Sequence, residues 1–256
     1  HQQVVDHPRF ATADLSSWRL ACSGGAPVPP TLLKAVQARG IPMLQMFSLT
    51  ESSAAGTVLP NADALRKVGS AGIPIIHGGL KIADDDDNEV PVGEVGEILL
   101  SGPHVMAGYW NNPEASIAAL RGGWLHTGDL GRVDEEGYLY VVDRKKDMLI
   151  SGGLNVYPAE IERVLAGMPG IIEVAVIGVP HEKWGEAPAV VVFTGGAEVK
   201  AEDVLARCKE QLADFKLPRY FHVSPTPLPR NMSGKILKRE LKIELAHLPQ
   251  TSQAIR

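Results

Sequence analysis

Cysteine is scarce: two residues in 256, Cys22 and Cys208, far apart and without metal-type spacing. That excludes a disulfide framework and a Cys-built metal site, and it suits a reducing, cytoplasmic setting. Long apolar runs are missing as well, and none approaches the roughly 20 residues that a spanning helix needs. Positive charge is not in excess, with 25 Lys and Arg against 30 Asp and Glu and a net charge of −5. No general basic field exists to hold a nucleic acid, so none is expected as a partner. Repeats and low-complexity tracts are absent, and His1–Pro8 carries no signal-peptide pattern. Without an initiating Met, and with a folded pattern beginning near Phe10, the chain reads as the C-terminal part of a longer protein. What remains is 45% hydrophobic and 21% charged, enough for a substantial core in one large domain or two ordinary ones.

The pattern along the chain changes twice. Residues 18–22 predict a short buried strand, ended by Ser23-Gly24-Gly25-Ala26-Pro27. Pro29 to Arg39 predicts a helix with Pro at its start and Gly40 after its end, and Pro42 to Phe47 a second strand. That order implies a parallel α/β layer over 1–67. Residues 68–143 predict a β-rich subdomain, a small sheet or barrel, with strands at Leu80–Ala83, Glu97–Leu100 and Tyr138–Val142. Asp84–Asp87 reads as a solvated hairpin tip. Beyond position 147 the signals are a helix at Ala159–Leu165, strands at Val174–Val179 and Ala189–Thr194, a helix at Ala201–Ala213, a strand at Tyr220–Val223 and an amphipathic helix over 235–246. They predict a small α+β domain over 148–256.

Between these parts lie five consecutive charged residues, Asp143 to Asp147, flanked by apolar strands. An uncovered charged segment there reads as a joint, with a hinge at 144–147. After it come Ser151-Gly152-Gly153 and then Pro158, which opens a helix carrying Glu160 and Glu162 in its first turns.

Four short constellations bear chemistry. Phe47-Ser48-Leu-Thr50-Glu51 is either an ordinary capped strand end or a nucleotide site, in which an aromatic stacks a base, a hydroxyl binds phosphate and a carboxylate holds magnesium. Trp124-Leu-His-Thr-Gly-Asp129 predicts a Gly-Asp turn before a strand; Asp129, a pure acceptor with two oxygens, suits a ribose diol. Arg144 is either a surface ion-pair partner or a second ribose or phosphate contact. Pro229-Arg-Asn-Met-Ser-Gly-Lys235 places a lysine at the predicted start of a helix, either solvated or delivered to an anionic substrate.

Taken together and in this order, S-G-G-A-P, L-T-E-S, H-T-G-D, D-R-K-K-D-M-L-I-S-G-G, N-V-Y-P-A-E-I-E, V-P-H-E-K-W-G-E and P-R-N-M-S-G-K-I-L-K-R-E-L closely resemble the adenylate-forming superfamily of acyl-CoA ligases, luciferases and peptide-synthetase adenylation domains. The resemblance covers essentially the whole chain and is closest to bacterial fatty-acyl-CoA ligases. It implies ATP and CoA as substrates, Mg2+ as cofactor, an acyl-adenylate intermediate, and a small domain that rotates between two half-reactions. By position, Ser23, Gly24, Gly25, Ala26 and Pro27 would line the adenine and the carboxylate end of the acyl pocket. Phe47 and Ser48 would face the base, Thr50 the phosphate, Glu51 the magnesium, and Asp129 and Arg144 the ribose. Lys146 falls at the hinge, Ser151, Gly152 and Gly153 at the CoA passage, and Lys235 at the lysine bridging carboxylate and phosphate.

There are departures. Phe47 stands where Tyr is commoner, Ser48 replaces a glycine, and Ile150 stands where some ligases carry a lysine. The Ser/Thr/Gly-rich phosphate loop ending in Lys-Gly is not in this sequence. Within the class, an aryl-CoA ligase or an enzyme loading a carrier protein stays open; the small residues Ala54-Ala55-Gly56 favour a fatty acid. Outside it, a non-catalytic nucleotide-binding module stays open. Nucleic-acid binding through Lys235, Lys238, Arg239 and Lys242 is disfavoured by Glu240 and Glu244 on the same helix, which reads as a solvated face. Homo-oligomerisation and peripheral membrane contact for an acyl substrate also stay open.

Overall fold

A computed structural model describes residues 1–25, 28–232, 234–251 and 254–256. The chain separates into two compact units, His1–Val141 and Val142–Arg256.

In the first unit a four-residue helix α1 (Gln2–Val5) precedes strand β1 (Ala21–Gly24). Helix α2 (Pro30–Gln37) starts on a proline, where the missing N–H costs nothing, and buries Leu32, Leu33 and Val36 at helical spacing. It leads to β2 (Met43–Phe47), which runs parallel to β1 with Ala21 opposite Met43 and Gly24 opposite Met46. β3 (Thr57–Leu59) and β4 (Ile73–Pro74) then add antiparallel, so the layer is mixed rather than parallel throughout. Its core joins Leu33, Val36, Ile41, Met43 and Leu59.

A second sheet holds β5 (Gly79–Ala83), β6 (Gly96–Ser101), β7 (Leu125–Val133) and β8 (Leu139–Arg144) in chain order, an open sheet rather than a barrel. Its core of Ile82, Ile98, Leu100, Leu125 and Leu139 receives Phe47 from the end of β2 and Leu49 from the segment after it. The β5–β6 connection is the expected hairpin tip, with Asp84 accepting the N–H groups of Asp86 and Asn88. Asp87 departs from the solvated reading: it is half-buried and takes two hydrogen bonds from the Arg121 guanidinium. A short helix α3 (Pro113–Ala119), capped by Asn112 on the Ala115 N–H, is an addition to the predicted elements.

The second unit takes in the last residues of β8, then the hairpin β9 (Leu149–Ser151) and β10 (Leu154–Val156) and helix α4 (Pro158–Leu165). The long pair β11 (Glu173–His181) and β12 (Gly185–Phe193) forms the centre of its sheet, with β13 (Tyr220–Ser224) parallel to β12. Strand alternation divides β12 between two cores. Ala187, Ala189 and Val191 face Leu241, Leu245 and Leu248 of the C-terminal helices α6 (Lys238–Glu244) and α7 (Leu248–Thr251) and of the residue between them. Val190 and Val192 face Ile161 and Leu165 of α4 and Val204 and Cys208 of helix α5 (Ala201–Lys209). Burial pushes the Cys208 thiol up to about 11, so it is an inert core group.

Three expectations are corrected here. α5 ends at Lys209, not Ala213, and α6 begins only at Lys238. The charged run is not uniformly uncovered. Asp143 is buried, and its carboxylate accepts the Ala159 N–H at 2.8 Å and the Arg144 N–H at 2.7 Å. It thereby satisfies an orphan donor of the first turn of α4.

Candidate active site

The parallel β1–β2 pair decides where the first group of candidate residues gathers. Two adjacent parallel strands end at the same edge, and in such sheets the carboxyl edge is where loops are free to form a site. Ser23 and Gly24 end β1 in register with Gln45 and Met46, and Phe47 ends β2 one residue further on. Gly25 follows with φ of 79°, and Ala26 and Pro27 lie outside the described residues. Ser23 and Gly24 thus belong to the strand itself, not to a turn that terminates it.

Past Phe47 the chain tightens. The Leu49 carbonyl accepts from Ser52 Oγ at 3.2 Å and from the Ala54 N–H at 3.0 Å, closing a turn that leaves Thr50 exposed. Glu51, half-exposed beside it, is held from outside its own segment. The Met106 N–H donates to its backbone carbonyl at 2.8 Å, and the Tyr109 hydroxyl donates to its carboxylate at 2.9 Å. Sequence reasoning missed Tyr109, which lies in a segment with no charge to flag it. Burial and the Glu51 carboxylate raise its pKa, so the phenol keeps its proton and remains a donor.

Phe47 is half-buried against the Leu100–Leu125 cluster, so its ring also serves the packing of the two sheets. Gly56 corrects the reading of small residues as acyl space: a Cβ there would stand 2.7 Å from the Phe47 carbonyl and 3.2 Å from Leu100. It is small because its own strand neighbour passes close by.

Asp129 sits elsewhere in the same unit. β7 runs unbroken from Leu125 to Val133, so Asp129 lies within the strand and not in a turn before it. The pairing of β6 with β7 slips between Glu97 and Leu99, and Gly128 takes φ of 70° there. This irregularity re-aims the backbone at Asp129. Thr127 Oγ1 accepts the Asp129 N–H at 3.1 Å and donates to the Ile98 carbonyl at 2.7 Å. Buried Glu97 accepts the Gly128 N–H at 3.1 Å, and His126 Nδ1 lies 3.5 Å from its other oxygen. Glu97 was also missed, because in sequence it looks like one more acid near a turn.

Arg144, Lys146, Gly153 and Lys235 belong to the second unit. Arg144 ends β8, and exposed Lys146 lies in the turn that follows. Ser151 is buried; Gly152 and Gly153 make the β9–β10 turn with φ of 61° and 82°. The two glycines differ. A Cβ on Gly152 would meet the Trp184 ring at 2.6 Å, whereas one on Gly153 would meet nothing within 4 Å. The Trp184 carbonyl accepts the Gly152 N–H at 2.9 Å, and the Lys183 ammonium and Arg219 guanidinium lie 4.7 and 5.0 Å from its ring. W-G-E in the sequence carried this signal, but not its placement against Gly152.

Lys235 is exposed and does not start a helix: it lies on the second arm of a small hairpin, three residues before α6. The helix beyond is less solvated than expected, since Lys238 pairs with Glu162 at 2.7 Å and Lys242 with Glu186 at 2.9 Å. Burial raises the Glu162 pKa even against the Lys238 charge.

Residues 1–110 match the family described as AMP-binding enzyme, and residues 160–235 match the AMP-binding enzyme C-terminal domain. The chain belongs to the AMP-binding enzyme family. It is 46% identical to feruloyl-CoA synthase of Amycolatopsis sp, over 94% of this chain and 49% of that protein. To the long-chain-fatty-acid–CoA ligase FadD13 of Mycobacterium tuberculosis it is 46% identical, over 92% of this chain and 46% of the relative. Among solved structures, o-succinylbenzoate CoA synthetase from Bacillus subtilis matches in complex with its acyl-adenylate, with a TM-score of 0.82 and 41% identity over 88% of this chain and 46% of that one. The same enzyme with ATP and magnesium matches with a TM-score of 0.81 and 40% identity over the same shares. The chain therefore spans about half the length of the relatives it matches. Among the described residues, no helix is long and apolar enough to cross a membrane.

Proposed function

We propose that the protein is an ATP-dependent acid–thiol ligase that makes acyl-CoA thioesters through an acyl-adenylate. The observation that carries this reading is the carboxyl-edge cluster: Ser23 and Gly24 beside Phe47, with Thr50 and the Tyr109-held Glu51 directly after, in a family named for AMP binding.

In the first half-reaction a carboxylate oxygen of the acid attacks the α-phosphorus of ATP, and the bond to pyrophosphate breaks with its electron pair. Two anions meet, so the barrier falls where a cation neutralises the charge that gathers in the transition state. Lys235 supplies that cation, Thr50 donates to phosphate oxygen, and Asp129 accepts from the ribose hydroxyls. Arg144 adds a ribose or phosphate contact, and Phe47 gives its open face to the base. In the second half-reaction the CoA sulfur attacks the acyl carbon, the bond to AMP breaks, and the thiol proton passes to solvent. The Ser151-Gly152-Gly153 turn borders the pantetheine passage.

Magnesium fits the residues present in one way. No group of three His, Cys, Asp or Glu converges among the described residues. A single carboxylate, Glu51, suits an ion that keeps most of its waters and rides on substrate phosphates. When bound, it supplies charge neutralisation on the phosphates.

For the acid we propose a fatty acid, in line with the FadD13 likeness. An aryl acid is the second reading, favoured by the equal likeness to feruloyl-CoA synthase. The test is the full native gene product with ATP, magnesium and CoA, given palmitate or ferulate. Thioester and AMP formed only with palmitate support the first reading. Formation only with ferulate transfers the substrate to the second, and AMP release independent of any acid refutes both.

A further inference from the structure

Lys235 stands on a hairpin whose arms reach the core through Leu228 and Ile236 but whose described tip is exposed. The Leu237 N–H donates to the Pro229 carbonyl at 2.8 Å, the Asn231 N–H to the Lys235 carbonyl at 3.0 Å, and the Lys235 N–H to Asn231 Oδ1 at 2.9 Å. Asn231, Met232, Gly234 and Lys235 are all exposed, so the described part of the tip buries no apolar surface. Ile236 anchors the chain after Lys235, but a two-stranded hairpin alone is marginal in water, and the exposed tip before Lys235 needs a tether as well.

Arg230 does this with three donors. Its Nε and Nη2 donate to Glu173 Oε1 at 3.2 and 2.8 Å, and its Nη1 donates to the Gly234 carbonyl at 2.5 Å, one peptide before Lys235. The other Glu173 oxygen accepts the Leu228 N–H at 2.7 Å, where the hairpin begins. Glu173 is the first residue of β11, whose Ala175, Val176 and Ile177 are buried in the two cores of the sheet. One guanidinium therefore links the peptide beside Lys235 to the first residue of a strand buried in both cores of its unit. A planar fork with fixed donors can hold a carboxylate and a carbonyl at once; an ammonium cannot do so in that geometry.

We propose that Arg230 and Glu173 are positioning residues for adenylation: they clamp the hairpin so that Lys235 meets the reacting anions in one orientation. This rests on the role of Lys235 given above. A misplacement of about 1 Å costs up to about 100-fold in rate. The clamp should matter in the half-reaction that uses Lys235 and not in the other.

The experiment uses the full native gene product with Arg230→Ala, Arg230→Lys, Glu173→Gln, Lys235→Ala and the double variant of Arg230 and Lys235. Two rates are measured: acid-dependent ATP–pyrophosphate exchange, and thioester formation from supplied acyl-adenylate and CoA. Arg230→Ala should lower the exchange kcat by about 10- to 100-fold, with the KM for ATP and the thioester rate within about twofold. Arg230→Lys should recover little. Glu173→Gln, which keeps an acceptor for the Leu228 N–H and so guards the fold, should show the same selective loss in milder form. The double variant should be no slower than Lys235→Ala alone, because both changes remove one function. Exchange unchanged in Arg230→Ala but lost in Lys235→Ala overturns the clamp and leaves the lysine's role standing. Equal loss of both half-reactions in Glu173→Gln and Arg230→Ala makes the pair merely structural and overturns it too. Exchange that survives Lys235→Ala removes the role on which the clamp rests.

Discussion

The Tyr109 hydroxyl donates a 2.9 Å hydrogen bond to the Glu51 carboxylate, joining the turn after β2 to the loop that precedes α3. Glu51 is thereby held from two sides, since the Met106 N–H also reaches its backbone carbonyl. A hydrogen bond to a charged group contributes about 1.5–3 kcal/mol when buried. This one is partly exposed, so Tyr109→Phe in the full protein should lower kcat/KM for magnesium-ATP by about 3- to 10-fold, near 1 kcal/mol. Steady-state kinetics in the adenylation half-reaction checks this; unchanged kinetics would mean that Glu51 needs no such hold.

Glu97 reaches the segment of Asp129 through backbone. By accepting the Gly128 N–H it fixes the bulge that aims Asp129. Glu97→Ala should therefore compress the preference for ATP over 2′- or 3′-deoxy-ATP by about tenfold, as Asp129→Asn should, with the acid's KM nearly unchanged. A preference kept by Glu97→Ala but lost by Asp129→Asn would leave the ribose role intact and remove Glu97 from it.

Acid should loosen the first unit through one ion network. Asp63 accepts from the Tyr138 hydroxyl and from Arg66, and Glu136 accepts from Lys67 and Arg66. These contacts hold both carboxyls below their ordinary values of 3.8 and 4.5. A group with a depressed folded pKa contributes fully above its unfolded value and loses that contribution as pH falls through the folded one. Unfolding midpoints in urea should thus be flat above about pH 5 and decline below the ordinary carboxyl range. Glu136→Gln should lower the plateau and flatten the decline. An equal acid slope in the variant would assign the loss to other carboxyls.

Gly152 and Gly153 should separate under substitution. Gly152→Ala drives a Cβ to within 2.6 Å of the Trp184 ring at positive φ, so it should destabilise the chain by about 1–3 kcal/mol. Gly153→Leu has open space and pays only the backbone strain. It should keep pyrophosphate exchange while cutting thioester formation at least tenfold. Thioester turnover equal to that of the native protein would remove this turn from the CoA passage.

Most elements were legible because their signals are local. Pro29, one residue before the observed start of α2, and Pro158 mark helix starts, and the apolar runs Val174–Val179 and Ala189–Thr194 read directly as strands, shorter or shifted relative to β11 and β12. Three misses share a cause: each depends on a partner distant in sequence. Nothing near Asp143 says that it caps α4, nothing near Tyr109 names Glu51, and Gly128 gives no sign that Glu97 will hold it inside a strand. Lys235, a candidate by its sequence context, is misplaced there at a helix start, because Ser-Gly before Lys-Ile-Leu-Lys-Arg looks like one. The Arg230 fork and the bridge from Arg230 to Ile236 keep it extended instead.

The most direct measurement follows oxygen. The full native gene product is incubated with ATP, magnesium, CoA and an acid labelled with oxygen-18 in its carboxylate, and the products are read by mass spectrometry. The account expects one labelled oxygen in AMP for each thioester formed, because the carboxylate oxygen that attacks the α-phosphorus leaves with it. Label in inorganic phosphate, or thioester formed with unlabelled AMP, would contradict an acyl-adenylate and with it the central claim.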